Sequence, residues 1–208
     1  MAKRIEQLIS EVLGRFGVTL APSQVQAVRL YIHILLRWNQ KVSLTSIKYP
    51  EEILSRHFGE SMFAVEKAGI TGGRLADVGS GAGFPGLAIK ILCPAVEITL
   101  IEPVAKKVAF LKEVVRTLSL DGVDFVQKRF EQLDRGQGSF DWVCSRALGS
   151  HEGIVSWAND RLLPPGSLLL WVGSKDAQRI SLVSGWKWDS FLLPQSEKRY
   201  LLIGKRLP

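Results

Sequence analysis

The sequence has few of the side chains that bind metal ions or cross-link a chain. Its 208 residues include two cysteines and three histidines. The cysteines, Cys93 and Cys144, lie in apolar segments, and neither they nor the scattered histidines have the spacing of zinc ligands. We therefore expect no disulfide framework and no metal site, and we predict that both thiols are free and buried in a reducing compartment.

Long apolar runs are also missing from the sequence. No stretch of about 18 apolar residues occurs, so we expect no transmembrane helix and no membrane partner. The segment from Met1 to Glu6 lacks the hydrophobic core of a secretion signal. Both absences favour a cytoplasmic protein.

Charge is distributed unevenly along the chain. The net charge is +7, with eight basic and four acidic residues in 1–57, twelve and thirteen in 58–173, and seven and three in 174–208. The excess positive charge therefore lies in the two flanks, and the middle segment is nearly neutral. This pattern favours a polyanionic partner such as nucleic acid, and charge that serves only solubility is the alternative.

The first seventy residues are predicted to form a small helical cap. Apolar residues recur there at helical spacing, in helices that begin near Ile5, Ala21 and Arg56. Segment 69–73 contains three glycines and predicts a boundary. We therefore divide the chain into an N-terminal helical cap, residues 1–70, and a ligand-binding domain, residues 71–208.

From Arg74 onward, predicted strands alternate with predicted helices. The strands cover residues 74–78, 97–102, 123–127, 140–145, 167–172, 187–193 and 199–205. The helices lie near residues 85–92, 104–118 and 149–162. This alternation predicts an α/β fold with a mostly parallel sheet covered on both faces. The last two strands have no helix between them, and we predict that they form a C-terminal antiparallel hairpin.

A glycine-rich segment, Gly79-Ser-Gly-Ala-Gly-Phe-Pro-Gly86, connects the first predicted strand of this domain to the next helix. Glycines there allow a ligand to approach the backbone closely, so we predict a nucleotide-like ligand with contacts at Gly79 and Gly81. Glu102 ends the second strand about 20 residues later, where a carboxylate can accept hydrogen bonds from ribose hydroxyls.

Two kinds of cofactor fit this segment. Gly81, Gly83 and Gly86 match the G-x-G-x-x-G pattern of dinucleotide sites. Asp77 precedes a tighter Gly-x-Gly-x-Gly run, and that form resembles motif I of methyltransferases that use S-adenosylmethionine (AdoMet). Glu102 is compatible with either cofactor, whereas the predicted terminal hairpin resembles the AdoMet methyltransferase sheet.

Further motifs occur in the order and spacing of one family. They are Trp38-Asn-Gln-Lys-Val-Ser-Leu-Thr-Ser-Ile47, His57-Phe-Gly-Glu-Ser61, Asp77 to Gly86, Lys106-Lys-Val-Ala-Phe-Leu111 and Ser145-Arg-Ala147. Over nearly its whole length the chain resembles the bacterial 16S ribosomal RNA (guanine-N7) methyltransferases of the RsmG type, also called the glucose-inhibited division protein B family. It departs from the usual family pattern at Ser43, Glu60 and Lys175.

The resemblance implies a Rossmann-like AdoMet-dependent methyltransferase fold and a set of site residues. The implied AdoMet contacts are Gly79, Phe84, Phe130, Glu131 and Arg146. On the substrate side we predict contacts from Asn39, His57 and Lys175. Arg146 ends the fourth strand, and we expect it to orient the substrate or the methionine carboxylate of the cofactor.

The activity that the resemblance implies is methyl transfer from AdoMet to N7 of a guanosine in 16S ribosomal RNA. Guanine N7 carries a lone pair and no proton, which agrees with the absence of a recognisable catalytic triad or carboxylate pair in the sequence. The implied partner is 16S RNA or the small ribosomal subunit, and we expect a monomer. The alternatives are an AdoMet-dependent methyltransferase for another nucleic acid or a small molecule, an NAD-binding dehydrogenase, and a binding module without catalysis.

Overall fold

A computed structural model describes residues 2–133, 139–146 and 151–207. Its N-terminal part contains helices α1 (Ala2–Gly14), α2 (Pro22–Asn39) and α3 (Pro50–Ile53), a π-helical turn (Leu54–Gly59) and α4 (Glu60–Ala68). The next elements are β1 (Gly73–Val78), α5 (Gly86–Leu92), β2 (Val96–Ile101), α6 (Ala105–Thr117), β3 (Val123–Val126), a 3₁₀ turn (Phe130–Gln132) and β4 (Phe140–Arg146). The last are α7 (His151–Asn159), β5 (Leu162–Gly173), α8 (Ser174–Ile180), β6 (Trp186–Leu192) and β7 (Arg199–Arg206).

The seven strands form one sheet in the order β3-β2-β1-β4-β5-β7-β6. Strands β1 to β5 pair in parallel, and β7 pairs antiparallel with both β5 and β6. The predicted α/β fold, with a mostly parallel sheet and a C-terminal hairpin, is therefore confirmed.

Alternate residues of the central strands pack into two hydrophobic clusters. On β1, Leu75 belongs to one cluster, whereas Ala76 and Val78 belong to the other. Successive side chains of a strand point to opposite faces, so the two clusters cover the two faces of the sheet. Burial on both faces explains why the buried part of β1, Leu75 to Val78, is apolar except for Asp77.

The N-terminal helices share the first of these clusters with the sheet. Ile9 of α1, Leu35 of α2 and Phe58 of the π-helical turn all lie in the cluster that contains Leu75. The side chain of Gln24 also donates to the carbonyl oxygens of Ile91 and Leu92, at 2.9 and 3.0 Å. Because this core is continuous, the division at residue 70 stays a prediction.

The structure differs from the sequence prediction at two places near β5. The strand begins at Leu162, because a register shift between Phe140 and Trp142 on β4 accommodates a segment containing two prolines. Prolines are rare inside strands, so the pattern predicted a strand only from residue 167. Helix α8 was not predicted, since in seven residues it buries only Ala177 and Ile180, too few for a periodic signal.

Other predicted elements agree within a few residues. The predicted helix from residue 149 is observed as α7, and residues 147–150 lie outside the described ranges. The helix expected near Arg56 begins at Pro50 and passes through the π-helical turn. Cys144 is buried as predicted, whereas Cys93 is only partly buried, and both are free thiols.

Two structural features are not found among residues 2–133, 139–146 and 151–207. None of the helices there has the length and apolar character needed to cross a bilayer. In the same ranges, no three His, Cys, Asp or Glu side chains are grouped so that they could hold a metal ion.

Candidate functional site

The strand order reverses between β1 and β4, which are neighbours at the centre of the sheet. Val78 at the end of β1 pairs with Ile101 of β2 on one side and with Ser145 of β4 on the other. The carboxyl ends of these strands therefore meet at one edge. In doubly wound sheets ligands bind in the crevice outside this edge. The predicted site residues Glu102 and Arg146 both lie there.

The glycine-rich turn after β1 is fixed by backbone hydrogen bonds to β2. The N–H groups of Gly79 and Ser80 both donate to the carbonyl oxygen of Ile101, at 2.9 and 3.2 Å. Gly79, Gly81 and Gly83 have φ values of 75°, 55° and 83°, a region that side chains with a Cβ rarely occupy. At Gly81 an added Cβ would make a single ordinary contact, 3.7 Å from the carbonyl oxygen of Gly79, so the described residues leave room beside the backbone there.

Glu102 connects this turn to the end of β2. Its buried carboxylate accepts the N–H of Gly81 through Oε2 at 2.9 Å and the N–H of Val104 through Oε1 at 3.0 Å. Each carboxylate oxygen has a second lone pair that these two hydrogen bonds do not use. The structure thus brings Gly79, Gly81 and Glu102 together, and it adds a structural role for Glu102 that its sequence position did not reveal.

Asp77 lies beneath the turn and is fully buried. Its Oδ2 accepts the N–H of Gly86 at 3.1 Å, and its Oδ1 lies 3.6 Å from the thiol of Cys144. Burial raises the pKa of Asp77 to about 7, against the effect of these donors. Asp77 therefore holds the start of α5 against β1, and its described contacts are to the protein interior.

Phe84 is the middle ring of an aromatic stack. Its ring lies 5.1 Å from that of Tyr31 and 4.7 Å from that of His57, nearly parallel to both. Because the Phe84 side chain is buried, direct cofactor contact from it stays a prediction.

His57 forms the outer member of this stack. Its Nε2 lies 2.8 Å from the hydroxyl of Thr45, and its Nδ1 is buried with no hydrogen-bond partner among the described residues. Burial, together with the charges of Arg146 and Arg56, lowers the pKa of His57 to about 3. The imidazole is therefore neutral at physiological pH.

Two predicted site residues lie on the 3₁₀ turn that follows β3. The ring of Phe130 is partly buried and packs edge-on against Trp157, with centroids 6.1 Å apart. Glu131 is exposed. The structure places both residues beyond the carboxyl end of β3, on the same edge of the sheet as Glu102.

Arg146 lies within a cluster that the sequence spacing could not reveal. Its Nη2 is 3.2 Å from Oε2 of Glu60, and its Nη1 donates to the carbonyl oxygen of Arg56 at 2.6 Å. Burial lowers the pKa of Arg146, and the nearby Glu60 carboxylate opposes that shift. Arg199 binds the same carboxylate. Because these residues are far apart in sequence, only folding brings them together.

The remaining two predicted site residues lie elsewhere around this edge. Asn39 accepts the N–H groups of Leu44 and Thr45 and donates to the carbonyl oxygen of Thr45, so it fixes the loop after α2. It thereby positions the threonine hydroxyl that contacts His57. Lys175 is exposed in the first turn of α8, just after the carboxyl end of β5. Substrate contacts from these residues stay predictions.

Comparisons with known proteins agree on one family. The family model GidB, described as rRNA small subunit methyltransferase G, matches residues 24–184. A ribosomal RNA small subunit methyltransferase G from Photobacterium profundum is 33% identical over 208 residues and covers 98% of each chain. Another from Desulfitobacterium hafniense is 37% identical over 178 residues, covering 82% of this chain and 74% of the relative.

A solved structure supports the same fold. The ribosomal protein L11 methylase from Lactobacillus delbrueckii subsp. bulgaricus superposes with a TM-score of 0.61 at 15% identity. The match covers 74% of this chain and 80% of that one. At this identity the comparison shows a common fold and nothing about the substrate.

Proposed function

The chain belongs to the rRNA small subunit methyltransferase G family, and from this premise we propose that it transfers a methyl group from AdoMet to N7 of a guanosine in small-subunit ribosomal RNA. The observation that carries the proposal is the family match together with the glycine turn at the point where the strand order reverses.

The residues at the crevice fit an AdoMet-type ligand. The described residues leave room beside the backbone at Gly81, and a cofactor can approach it there because no Cβ intervenes. Glu102 offers buried acceptor oxygens beside that backbone for the ribose hydroxyls. The exposed carboxylate of Glu131, at the next strand end, is available for a further polar contact. Gly79, Gly81, Glu102 and Glu131 are the residues we propose to hold the cofactor.

The reaction places modest chemical demands on the protein. When bound, AdoMet supplies a methyl group activated by its sulfonium. Guanine N7 has no proton to lose, so the chain needs no general base at the acceptor. Its residues have to hold the two reactants in line, and such positioning can contribute about 7–11 kcal/mol to a lower barrier.

We propose that His57 and Arg146, which lie near each other, flank the acceptor side of this crevice. The imidazole of His57 is neutral and stacked on Phe84, so its ring is a rigid apolar surface against which a purine could pack. Arg146 is fixed by Glu60 and by the carbonyl oxygen of Arg56, and it carries further N–H donors for orienting a ligand. We assign both residues positioning roles.

The dehydrogenase alternative has less support. The antiparallel β7 between β5 and β6 resembles the AdoMet methyltransferase sheet, and the family match is to methyltransferases. The two alternatives predict different ligands for the same glycine turn.

Calorimetry and methyl transfer test the proposal together. We expect AdoMet to bind and NAD to give no response. With radiolabelled AdoMet, RNA from the small ribosomal subunit should accept label, and large-subunit RNA of matched concentration should not. Micromolar NAD binding without a response to AdoMet, or equal labelling of both RNAs, would contradict the proposal.

A further inference from the structure

Three arginines from distant parts of the chain surround one buried carboxylate. Glu60 is 1% exposed, and its Oε1 accepts from Nε and Nη2 of Arg199, both at 2.8 Å. Its Oε2 lies 3.2 Å from Arg146, and its Oε1 lies 3.4 Å from Nε of Arg56. The main chain of Glu60 is also anchored, because the indole N–H of Trp171 donates to its carbonyl oxygen at 2.8 Å.

The arginines of this cluster carry more positive charge than the Glu60 carboxylate neutralises. They also carry more N–H donors than that carboxylate can accept. Three guanidinium groups face one buried carboxylate, and each guanidinium carries five N–H donors. A second carboxylate, that of Glu52, is exposed and lies 3.9 Å from Arg56, at the limit of an ion pair and screened by solvent. The Nε of Arg56 is buried with no hydrogen-bond partner among the described residues. The cluster is therefore suited to accept an anion.

The exposure of the three arginines indicates the side from which that anion approaches. The side chain of Arg146 is 15% exposed, whereas those of Arg56 and Arg199 are 36% and 28% exposed. Arg146 is thus the inner member, at the end of β4. Arg56 and Arg199 are the outer members, because more of their side-chain surface is exposed to solvent.

We propose that Arg56 and Arg199, held in position by Glu60, bind a backbone phosphate of the RNA strand whose guanosine enters the crevice. This inference rests on the proposed function and names how the same site holds its substrate. Guanidinium groups match phosphate geometry in a bidentate manner, so a pair fixed by a shared carboxylate is already organised for this contact. Fixing the phosphate would set the position of the attached nucleoside relative to the crevice.

The test compares single glutamine variants at the two outer arginines with a matched control. Arg179→Gln is the control, because Arg179 is exposed on α8 and lies 3.5 Å from Asp176 and 3.9 Å from Glu152. Affinity for small-subunit RNA is measured over a series of salt concentrations, and AdoMet affinity is measured by calorimetry. In Arg199→Gln, Glu60 keeps Arg146 and Arg56 as partners, so its charge is not left unpaired.

We expect Arg56→Gln and Arg199→Gln each to lower the slope of log K against log salt by roughly 0.7–0.9, the effect of one lost phosphate contact. AdoMet affinity should stay within about twofold of wild type. Arg199→Lys should keep the slope but lower RNA affinity, since it keeps the charge and loses the bidentate geometry. This conservative variant also provides a result if a glutamine variant does not fold.

Three results would overturn the inference. Salt slopes equal to that of Arg179→Gln would show that no phosphate is bound there. Loss of AdoMet affinity with an unchanged salt slope would assign the arginines to the cofactor carboxylate. Arg199→Lys with wild-type RNA affinity would exclude a bidentate contact. Wild-type protein that binds RNA but transfers no methyl group would instead contradict the proposed function, and the salt slopes would still test the phosphate contact.

Discussion

At the scale of single residues, the buried carboxylates of this protein organise the site before any ligand binds. Glu102 holds Gly81 and the start of the segment leading into α6, and Asp77 holds the start of α5. Glu60 forms ion pairs with three arginines. Each of these acids accepts several donors, as buried acids must if their burial is to be tolerated.

Glu102→Ala is expected to weaken AdoMet binding by about 1.5–3 kcal/mol, the range for hydrogen bonds to a charged group. The variant also leaves the N–H of Gly81 without its described acceptor, so calorimetry should be accompanied by an unfolding curve. Glu97→Ala is the matched control, because Glu97 is exposed on the same strand. If both variants bind AdoMet equally well, Glu102 serves only the turn.

Asp77 should make folding stability depend on pH between about 4 and 7. Its folded pKa of about 7 lies above the ordinary value of 3.8, so the folded state binds the proton more tightly. The contribution of Asp77 to the free energy of unfolding is therefore largest below pH 4, decreases as the pH rises, and is lowest above pH 7. Asp77→Asn should remove this decrease.

Urea unfolding of both proteins at pH 5 and pH 7 checks this prediction. The lowered pKa of His57 works in the opposite direction, since its stabilising contribution is lost as the pH falls below about 6.5. Because His57 is present in both wild type and Asp77→Asn, its effect cancels when the two proteins are compared. An identical change in stability from pH 5 to pH 7 in both proteins would contradict the assignment to Asp77.

At the scale of structural elements, the glycine turn needs glycine for two reasons, room for a ligand and close packing against α2. The sequence pattern alone does not tell which glycine serves which purpose. A Cβ at Gly81 would make only an ordinary contact, whereas a Cβ at Gly83 would collide with the hydroxyl of Tyr31 and lie 2.9 Å from Leu87. Tyr31 in turn donates to the carbonyl oxygen of Ala82 at 2.6 Å. The first glycine is open to a ligand, and the second allows α2 to pack against the turn.

Substituting alanine at these two glycines should therefore have different effects. Gly81→Ala should lose about 1–2 kcal/mol of stability, because its φ is positive, and should weaken AdoMet binding. Gly83→Ala should lose about 2–5 kcal/mol, since overpacking adds to the same backbone strain. Chemical denaturation measures both values. If the two variants lose the same stability and bind AdoMet equally well, the different roles of Gly81 and Gly83 would be contradicted.

The sequence was sufficient for the strands and for the glycine turn, because both depend on local patterns. Alternation of apolar segments with helical spacing predicted every strand to within a few residues except the start of β5. Contacts between distant residues were not predictable in this way. The Glu60 cluster joins α4, β4 and β7, and no local spacing relates Arg56 to Arg199. The same limit explains why the contact of Glu102 with Gly81, 21 residues away in sequence, emerged only from the fold.

At the scale of the whole molecule, the positive charge of the two flanks lies outside the segment that carries the glycine turn. The flanks supply Arg56 and Arg199 to the edge of the crevice, and α2 contributes Arg29 and Arg37. Arg37 forms an ion pair with Glu113 of α6, so part of this charge is neutralised within the protein. We predict that the unpaired part of this charge contacts a polyanion.

Neutralising Arg29, Arg37 and Lys41 together should weaken RNA binding and flatten its salt dependence. Each lost phosphate contact is expected to lower the slope of log K against log salt by roughly 0.7–0.9. Glu113 keeps a hydrogen bond from Trp38 at 2.9 Å, so loss of Arg37 should not unfold this region. AdoMet affinity should not change. RNA affinity and methylation rate equal to wild type would assign this charge to solubility.

The most direct test of the central claim is the chemical identity of the methylated nucleoside. Small-subunit RNA is incubated with the protein and AdoMet, digested to nucleosides and analysed by mass spectrometry, and nuclease mapping then locates the modified base. We predict 7-methylguanosine at a single guanosine, formed in a smaller amount when Glu102→Ala replaces the wild-type protein at limiting AdoMet. A methyl group on another atom or another base, or no methylated nucleoside at all, would contradict it.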